Sequence, residues 1–271
     1  MVIDVKRRWK SLGILWFAVV CMGMLPLGQT VAAQSLKGFL GVGVATIPDF
    51  EGSSDYSVIP LLVGRLQWDA YYIELLGIGL RANLVRHDFW RAGPVLRYRP
   101  SRDDVDNAVV DRLRRVDTAF EIGGFVGIEK RNVFRPRDRL SARLELHQDI
   151  AGAHDGLLIG LSGSYAFRPS RRWRLVFGSS ATIASDSYMD TYFSVDADNA
   201  ARSGLARFDA NGGLKDVGVS TVIGVGLSRR WALLARVGYK RLLDDAANSP
   251  IVEDEGSANQ FLGGIGVSYR F

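Results

Sequence analysis

Apolar and polar side chains alternate with period two along most of this chain. The clearest stretch is the C-terminus, where Phe261, Ile265, Val267, Tyr269 and Phe271 share one face with Gly263. Gln260, Gly264, Gly266, Ser268 and Arg270 share the other. Side chains of a strand point to opposite faces in turn, so the pattern predicts a β-strand with one apolar and one polar face. The same alternation recurs upstream: Trp90, Leu96 and Tyr98 against Arg91, Arg97 and Arg99; Leu140, Leu144 and Leu146 against Arg143, Glu145 and His147. Read between turn signals, it predicts twelve strands near 36–46, 56–67, 70–76, 78–86, 90–99, 115–129, 138–149, 156–168, 172–184, 213–228, 230–242 and 258–271. The pair 70–76 and 78–86 has the poorest turn, around Gly77 and Gly79, and without it the count is ten.

Alternation alone suits a soluble sandwich as well as a membrane barrel, since the two differ only in which face meets water. Tryptophan placement separates them. Trp68, Trp90, Trp173 and Trp231 each adjoin a short turn on the same side of the strand order, as an interfacial aromatic girdle requires. Tyr269 and the terminal Phe271 fall on the same belt. The fold class expected is all-β: a transmembrane antiparallel up-and-down barrel with both termini at the short-turn, periplasmic end. Longer loops then lie outside, near 47–55, 100–114, 185–212 and 243–257, with a helical turn around Asp198–Arg202.

The N-terminus supports export. Lys6, Arg7, Arg8 and Lys10 precede an apolar run from Leu12 to Leu27, and Val31-Ala32-Ala33 offers small residues at a cleavage site. That order reads as a secretory signal over residues 1–33, leaving a barrel domain over 34–271. The apolar run is shorter than the ~20 residues a membrane helix needs. Removing it changes the charge picture. The signal holds four of the 34 Lys/Arg and one of the 29 acids, so residues 34–271 carry 30 against 28. A nucleic-acid partner gains no support from that near balance. The only cysteine, Cys21, leaves with the signal, so no disulfide or thiolate metal site is expected.

The polar faces carry the candidate chemistry. Arg91, Arg97, Arg99, Arg143, Arg174, Arg236 and Lys240 are expected to point into the lumen, with Asp117, Glu121, Glu145 and Asp216. Such groups can line a water path or close a narrow barrel with ion pairs. Twelve strands fall between the filled eight-stranded barrel and the open sixteen-stranded one. His147, Asp149, His154 and Asp155 cluster at one rim with Ser162 and Ser164 further along the strand, but His154-Asp155-Gly156 reads as a tight turn. No enzymatic activity is expected, and no catalytic residue is assigned. Asp244, Asp245, Glu253, Asp254 and Glu255 lack the spacing of a calcium loop, so neither metal nor cofactor is expected.

Several motifs, in order, resemble the MipA/OmpV family of outer-membrane proteins. They are Ile47 through Tyr56, His154-Asp155-Gly156, Tyr188 through Phe193, Gly213 through Gly218, and Ser249 through Gln260 leading to Tyr269-Arg270-Phe271. The resemblance implies an outer-membrane barrel contacting lipid and lipopolysaccharide. It also implies a scaffold for murein-remodelling enzymes, with a lytic transglycosylase and a penicillin-binding protein as partners. A small diffusion pore or an adhesin-like surface protein is the alternative. No catalytic residues attach to the family.

Overall fold

The computed structural model describes residues 36–271; the export signal read over 1–33 lies outside them. Twelve strands follow one another: β1 (Lys37–Pro48), β2 (Tyr56–Trp68), β3 (Tyr71–Leu76), β4 (Gly79–Asn83), β5 (Trp90–Arg99), β6 (Ala119–Arg131), β7 (Arg139–Asp149), β8 (Leu157–Phe167), β9 (Trp173–Ala184), β10 (Gly213–Gly226), β11 (Trp231–Leu242) and β12 (Asn259–Arg270). Each pairs antiparallel with its neighbours in sequence, and β1 pairs with β12 to close the barrel. Closure matters because unpaired backbone groups are costly against lipid. Among the described residues no helix is long and apolar enough to cross a membrane.

The two faces of the wall differ as the alternation requires. Val42 (57%), Val219 (59%) and Ile265 (65%) are exposed on the outside, while charged residues occupy the alternate, inward positions. A water-soluble barrel would not leave such a belt of aliphatic side chains uncovered. Short turns follow β2, β4, β6, β8 and β10 at the end that holds both termini, the periplasmic end by the usual rule. Trp68, Trp90, Trp173 and Trp231 all sit there, and the Trp231 ring meets Tyr269 edge-on at 5.0 Å. Phe271 bonds Gly38 through both backbone groups. A second aromatic belt marks the other end, with Tyr98 against Phe120 at 5.6 Å and Tyr239 against Phe261 at 5.2 Å.

Two strand boundaries differ by three residues or more from those expected. β4 stops at Asn83 rather than 86, because the Asn83 side chain takes over from the ladder. Its Oδ1 accepts from Ala92 N at 3.0 Å, and its Nδ2 donates to Ala70 O and Val85 O, each at 2.9 Å. β6 starts at Ala119 rather than 115, because Val116 bridges back to Arg102 inside the preceding loop. The β3–β4 hairpin does form: Gly77 supplies the positive φ (+59°) its tight turn needs.

That hairpin is shorter than its neighbours. Its tip is held by Gly77 N on Leu62 O and by Tyr98 N on Ile78 O, each at 2.9 Å. Beyond it, among the described residues, β2 has no strand partner on that side from Tyr56 to Leu61. Leu62 turns its carbonyl toward the hairpin, so Pro60 turns its nitrogen the same way, onto a free edge where no donor is needed.

The outer loops fold over the mouth as four short helices: α1 (Asp186–Phe193), α2 (Ala197–Ser203), α3 (Asp244–Asn248) and α4 (Pro250–Glu253). α2 covers the helical turn expected around Asp198–Arg202. It is capped by the Asp196 side chain accepting from Asn199 N and stopped by Gly204 in the left-handed region. Tyr188, Met189, Phe193, Ile251 and Val252 are buried between these helices and the barrel rim. The chain's apolar core therefore lies in the cap, while the strands place their aliphatic faces outward.

Candidate functional site

Inward positions of β2 to β7 carry a continuous chain of ion pairs. Glu74 on β3 meets Arg65 at 3.7 Å and Arg81 at 2.5 Å. Arg81 reaches Glu145 at 2.7 Å, and Glu145 also faces Arg97 at 3.7 Å, Arg143 at 3.5 Å and His147 at 3.3 Å. Arg97 and Arg99 both face Glu121, at 3.8 and 2.8 Å. The ladder rises because antiparallel pairing sets β5 against β6 with Arg97 opposite Glu121, and β6 against β7 with Glu121 opposite Asp149. At the periplasmic end Glu129 gathers Arg91 (3.4 Å), Arg131 (3.2 Å) and Arg139 (3.3 Å).

The ladder continues into the outer cap. Arg99 lies 3.9 Å from Glu51, which also binds Lys215. Lys215 holds Asp216 at 2.6 Å, and Lys240 faces Asp216 at 3.5 Å. Lys215 and Asp216 are adjacent in sequence yet both buried, because the register slips between Leu214 and Asp216 against β9. A β-bulge at that point turns both side chains to one face.

Five loop or rim segments meet around this centre. Tyr188 donates to Glu51 Oε2 at 2.5 Å, and Ser249 Oγ donates to Phe193 O at 2.6 Å. Gln260 donates to Ser53 O at 3.0 Å and accepts from Gly52 N at 3.2 Å. His154 Nε2 lies 3.4 Å from Glu121, and its ring packs edge-on against Tyr188 at 5.0 Å. Burial would raise the Glu51 carboxyl, but Lys215, Lys240 and Arg99 outweigh it and hold it well below its ordinary value. Burial, opposed by Arg99 and reinforced by Glu51, pushes the Tyr188 hydroxyl well up. Arg102, buried beneath the cap without an acid beside it, is lowered to about 10 by that burial.

The inward residues expected from sequence fall into three groups. Arg91, Arg97, Arg99, Glu121, Arg143, Glu145, Asp216 and Lys240 stand in the network. Arg174 and Arg236 point inward but have no acid partner among the described ion pairs. Asp117 is a correction: it precedes β6, lies exposed and pairs with Arg115 at 2.6 Å, so Arg91 pairs with Glu129 instead. Glu51, Arg65, Glu74, Arg81, Glu129 and Lys215 were missed. Glu74 and Arg81 lie on strands too short to show the alternation, Arg65 follows a run of β2 that is apolar on both faces, and Glu51 and Lys215 sit in a loop and a bulge.

The rim histidines are engaged with carboxylates and backbone. His147 meets Glu145, and His154 Nδ1 accepts from Gly156 N at 3.0 Å. Ser164 bonds Ser141 across strands at 2.8 Å. No group of three or more candidate metal ligands occurs among the described residues.

Residues 40–271 match the family model described as MltA-interacting protein MipA. The chain belongs to this family. The match spans every strand of the barrel and the whole ion-pair network. The MipA-family assignment and the closed, apolar-belted barrel together make this an outer-membrane protein. No curated protein matches the chain. Among solved structures it is similar to the NanC porin, at 10% identity and TM-score 0.45, covering 87% of this chain and 100% of that one. It is similar also to an outer-membrane channel from Pseudomonas putida F1, at 11% identity and TM-score 0.45, covering 92% of this chain and 100% of the other. At such identities the likeness concerns the barrel alone.

Proposed function

We propose that this barrel is a non-catalytic scaffold of the cell envelope, holding murein-remodelling enzymes to the outer membrane. The observation that carries the reading is the continuous ladder from Arg65 to Lys240, which ties one wall of the lumen to the outer cap. A barrel cross-braced in this way is a rigid platform, and rigid elements present binding surfaces with least loss of conformational freedom. The family's description as MltA-interacting supports a lytic transglycosylase as one partner, with a penicillin-binding protein as a second. The periplasmic mouth offers a place for such a partner. A cavity of about 530 Å³ there is lined by Gln67, Tyr72, His87, Phe89, Arg91 and Arg131, among others. Its mix of aromatic and charged groups suits a protein surface.

Crosslinking in intact envelopes, followed by capture of the barrel, tests this. Wild type should recover a murein hydrolase or synthase, and Phe89→Asp in the mouth should lose it while the barrel still folds. Recovery of neither enzyme class with the wild type would overturn the scaffold reading.

A second reading, a small diffusion pore, is favoured by one observation. Lys240 keeps 38% and Arg97 31% of their side chains exposed although both point inward, so water reaches the lumen.

A further inference from the structure

The lumen is one-sided. The ladder occupies β2 to β7, and β11 lies six strands from β5 in the closed order, directly across the barrel. On that far wall the inward positions set two arginines among glycines, serines and a few aliphatic side chains such as Val222, Leu234 and Leu262. Arg174 on β9 stands opposite Gly224, and Arg236 on β11 stands between Val222 on β10 and Gly264 on β12. The next inward positions of β11 after Arg236 are Gly238 and Lys240. Gly224 and Gly264 place no side chain beside the two guanidinium groups, while the space at Gly238 is taken by Leu262. Among the described ion pairs Arg174 and Arg236 have no acid, whereas Lys240 shares Asp216 and Glu51 with Lys215.

Three further facts make this arrangement costly for the protein alone. Arg236 Nε is buried with no hydrogen-bond partner, and so is Arg65 Nε at the ladder's lower end. Arg174 has Arg65, Arg139 and Arg168 near enough to repel it, with Glu74 offsetting them in part. Lys240 is held only loosely, 3.8 Å from Glu51 and 3.5 Å from Asp216. Buried donors without acceptors, and cations that outnumber the acids near them, are stabilised by an anion that enters from solution. Guanidinium forks match the two oxygens of phosphate or carboxylate.

We infer that the wall from Arg174 through Arg236 to Lys240 is a binding path for small oxyanions, solutes bearing phosphate or carboxylate groups. This rests on a water-filled lumen, the second reading above, and not on the scaffold reading. Arg174 captures the anion at the periplasmic rim, Arg236 holds it at mid-barrel, and Lys240 ends the path beneath the outer cap.

The test uses the mature barrel in detergent micelles, with inorganic phosphate titrated calorimetrically against chloride at matched ionic strength. The same preparation is placed in planar bilayers under a potassium chloride gradient. Phosphate should bind, and Arg236→Gln should weaken it about tenfold, the loss of one charge-assisted hydrogen bond. Arg174→Gln should do the same should Arg236→Gln fold poorly, while Arg172→Gln on the exposed turn should leave binding unchanged. Arg236→Lys should recover part of the affinity, keeping the charge without the fork. Wild type that binds phosphate no better than chloride, or folded Arg236→Gln that binds as wild type does, overturns the inference. A barrel that binds phosphate through Arg236 yet never conducts removes the pore and keeps the anion site. One that conducts with cation preference and is indifferent to Arg236→Gln removes the anion site and keeps the pore.

Discussion

Tyr188 donates its hydroxyl to Glu51 at 2.5 Å, joining two outer loops separated by 137 positions in the chain. Ionisation of Glu51 strengthens this bond, and the same carboxylate neutralises the buried Lys215. The cap should therefore be acid-labile. Burial raises the Glu51 carboxyl, but the cations around it lower it by more, so its folded value lies well below the ordinary 4.5. A depressed acid contributes stability that is complete above the unfolded value and is lost as pH falls through the folded one. The expected outcome is a cap that loosens progressively below about pH 4.5 while the strands persist. Limited proteolysis of loops 185–212 and 243–257 across pH 3 to 7 checks it. Glu51→Gln should make those loops cleavable already at pH 7, and loop cleavage that ignores both pH and this substitution would refute the coupling.

Glu121 is the middle rung of the ladder, with its side chain fully buried between Arg97, Arg99 and His154. Replacing it by Gln leaves two inward cations facing each other. Breaking a buried pair by removing one partner costs roughly 3–5 kcal/mol. The low end, about 3 kcal/mol, is expected here, because Arg97 keeps Glu145 and Arg99 keeps Glu51. The heat-unfolding midpoint, read from the gel shift of the unheated barrel, should fall clearly in Glu121→Gln. An unchanged midpoint would mean that water screens the ladder as it does an exposed pair.

Period two along β5, β7, β11 and β12 carried the barrel into view, because each of those strands is long enough to show both faces. Twelve strands, the closing pair and the end that bears tryptophan were all legible this way. The network was legible only in part, for a physical reason. Alternation reports which residues face inward, so Arg97, Arg99, Glu121 and Glu145 could be read. It does not report loops, bulges or strands of five or six residues, which is where Glu51, Lys215, Glu74 and Arg81 lie. Asp117 misled because alternation was extended through residues 115–118, where Val116 bridges back to Arg102 instead of entering the sheet. The motifs shared with the family had a separate meaning. Glu51, His154, Tyr188, Lys215, Ser249 and Gln260 come from five distant segments and meet in one cap.

The closing seam between β1 and β12 depends on glycine. Gly43 stands opposite Gly266, with its α-carbon so near the partner strand that a β-carbon there would lie 2.1 Å from Ile265 O and 2.7 Å from Gly266 Cα. Both are backbone atoms, so no rotamer change relieves the contact. Gly266 has the reciprocal problem, 2.6 Å from Val42 O. A methyl group at either place must push β1 from β12, and the two strands are the first and last to be made. Separation there exposes two unpaired edges to hydrocarbon, where each unsatisfied backbone group costs several kcal/mol. Gly43→Ala should therefore lower the yield of heat-modifiable barrel in the outer membrane. Gly263→Ala, three residues before Gly266 in β12, is the control. Nothing lies within 4 Å of its β-carbon position, so it should assemble normally. Equal assembly of the two variants would show that the seam can open by a few tenths of an ångström without penalty, and that close approach of the first and last strands is not what closes this barrel.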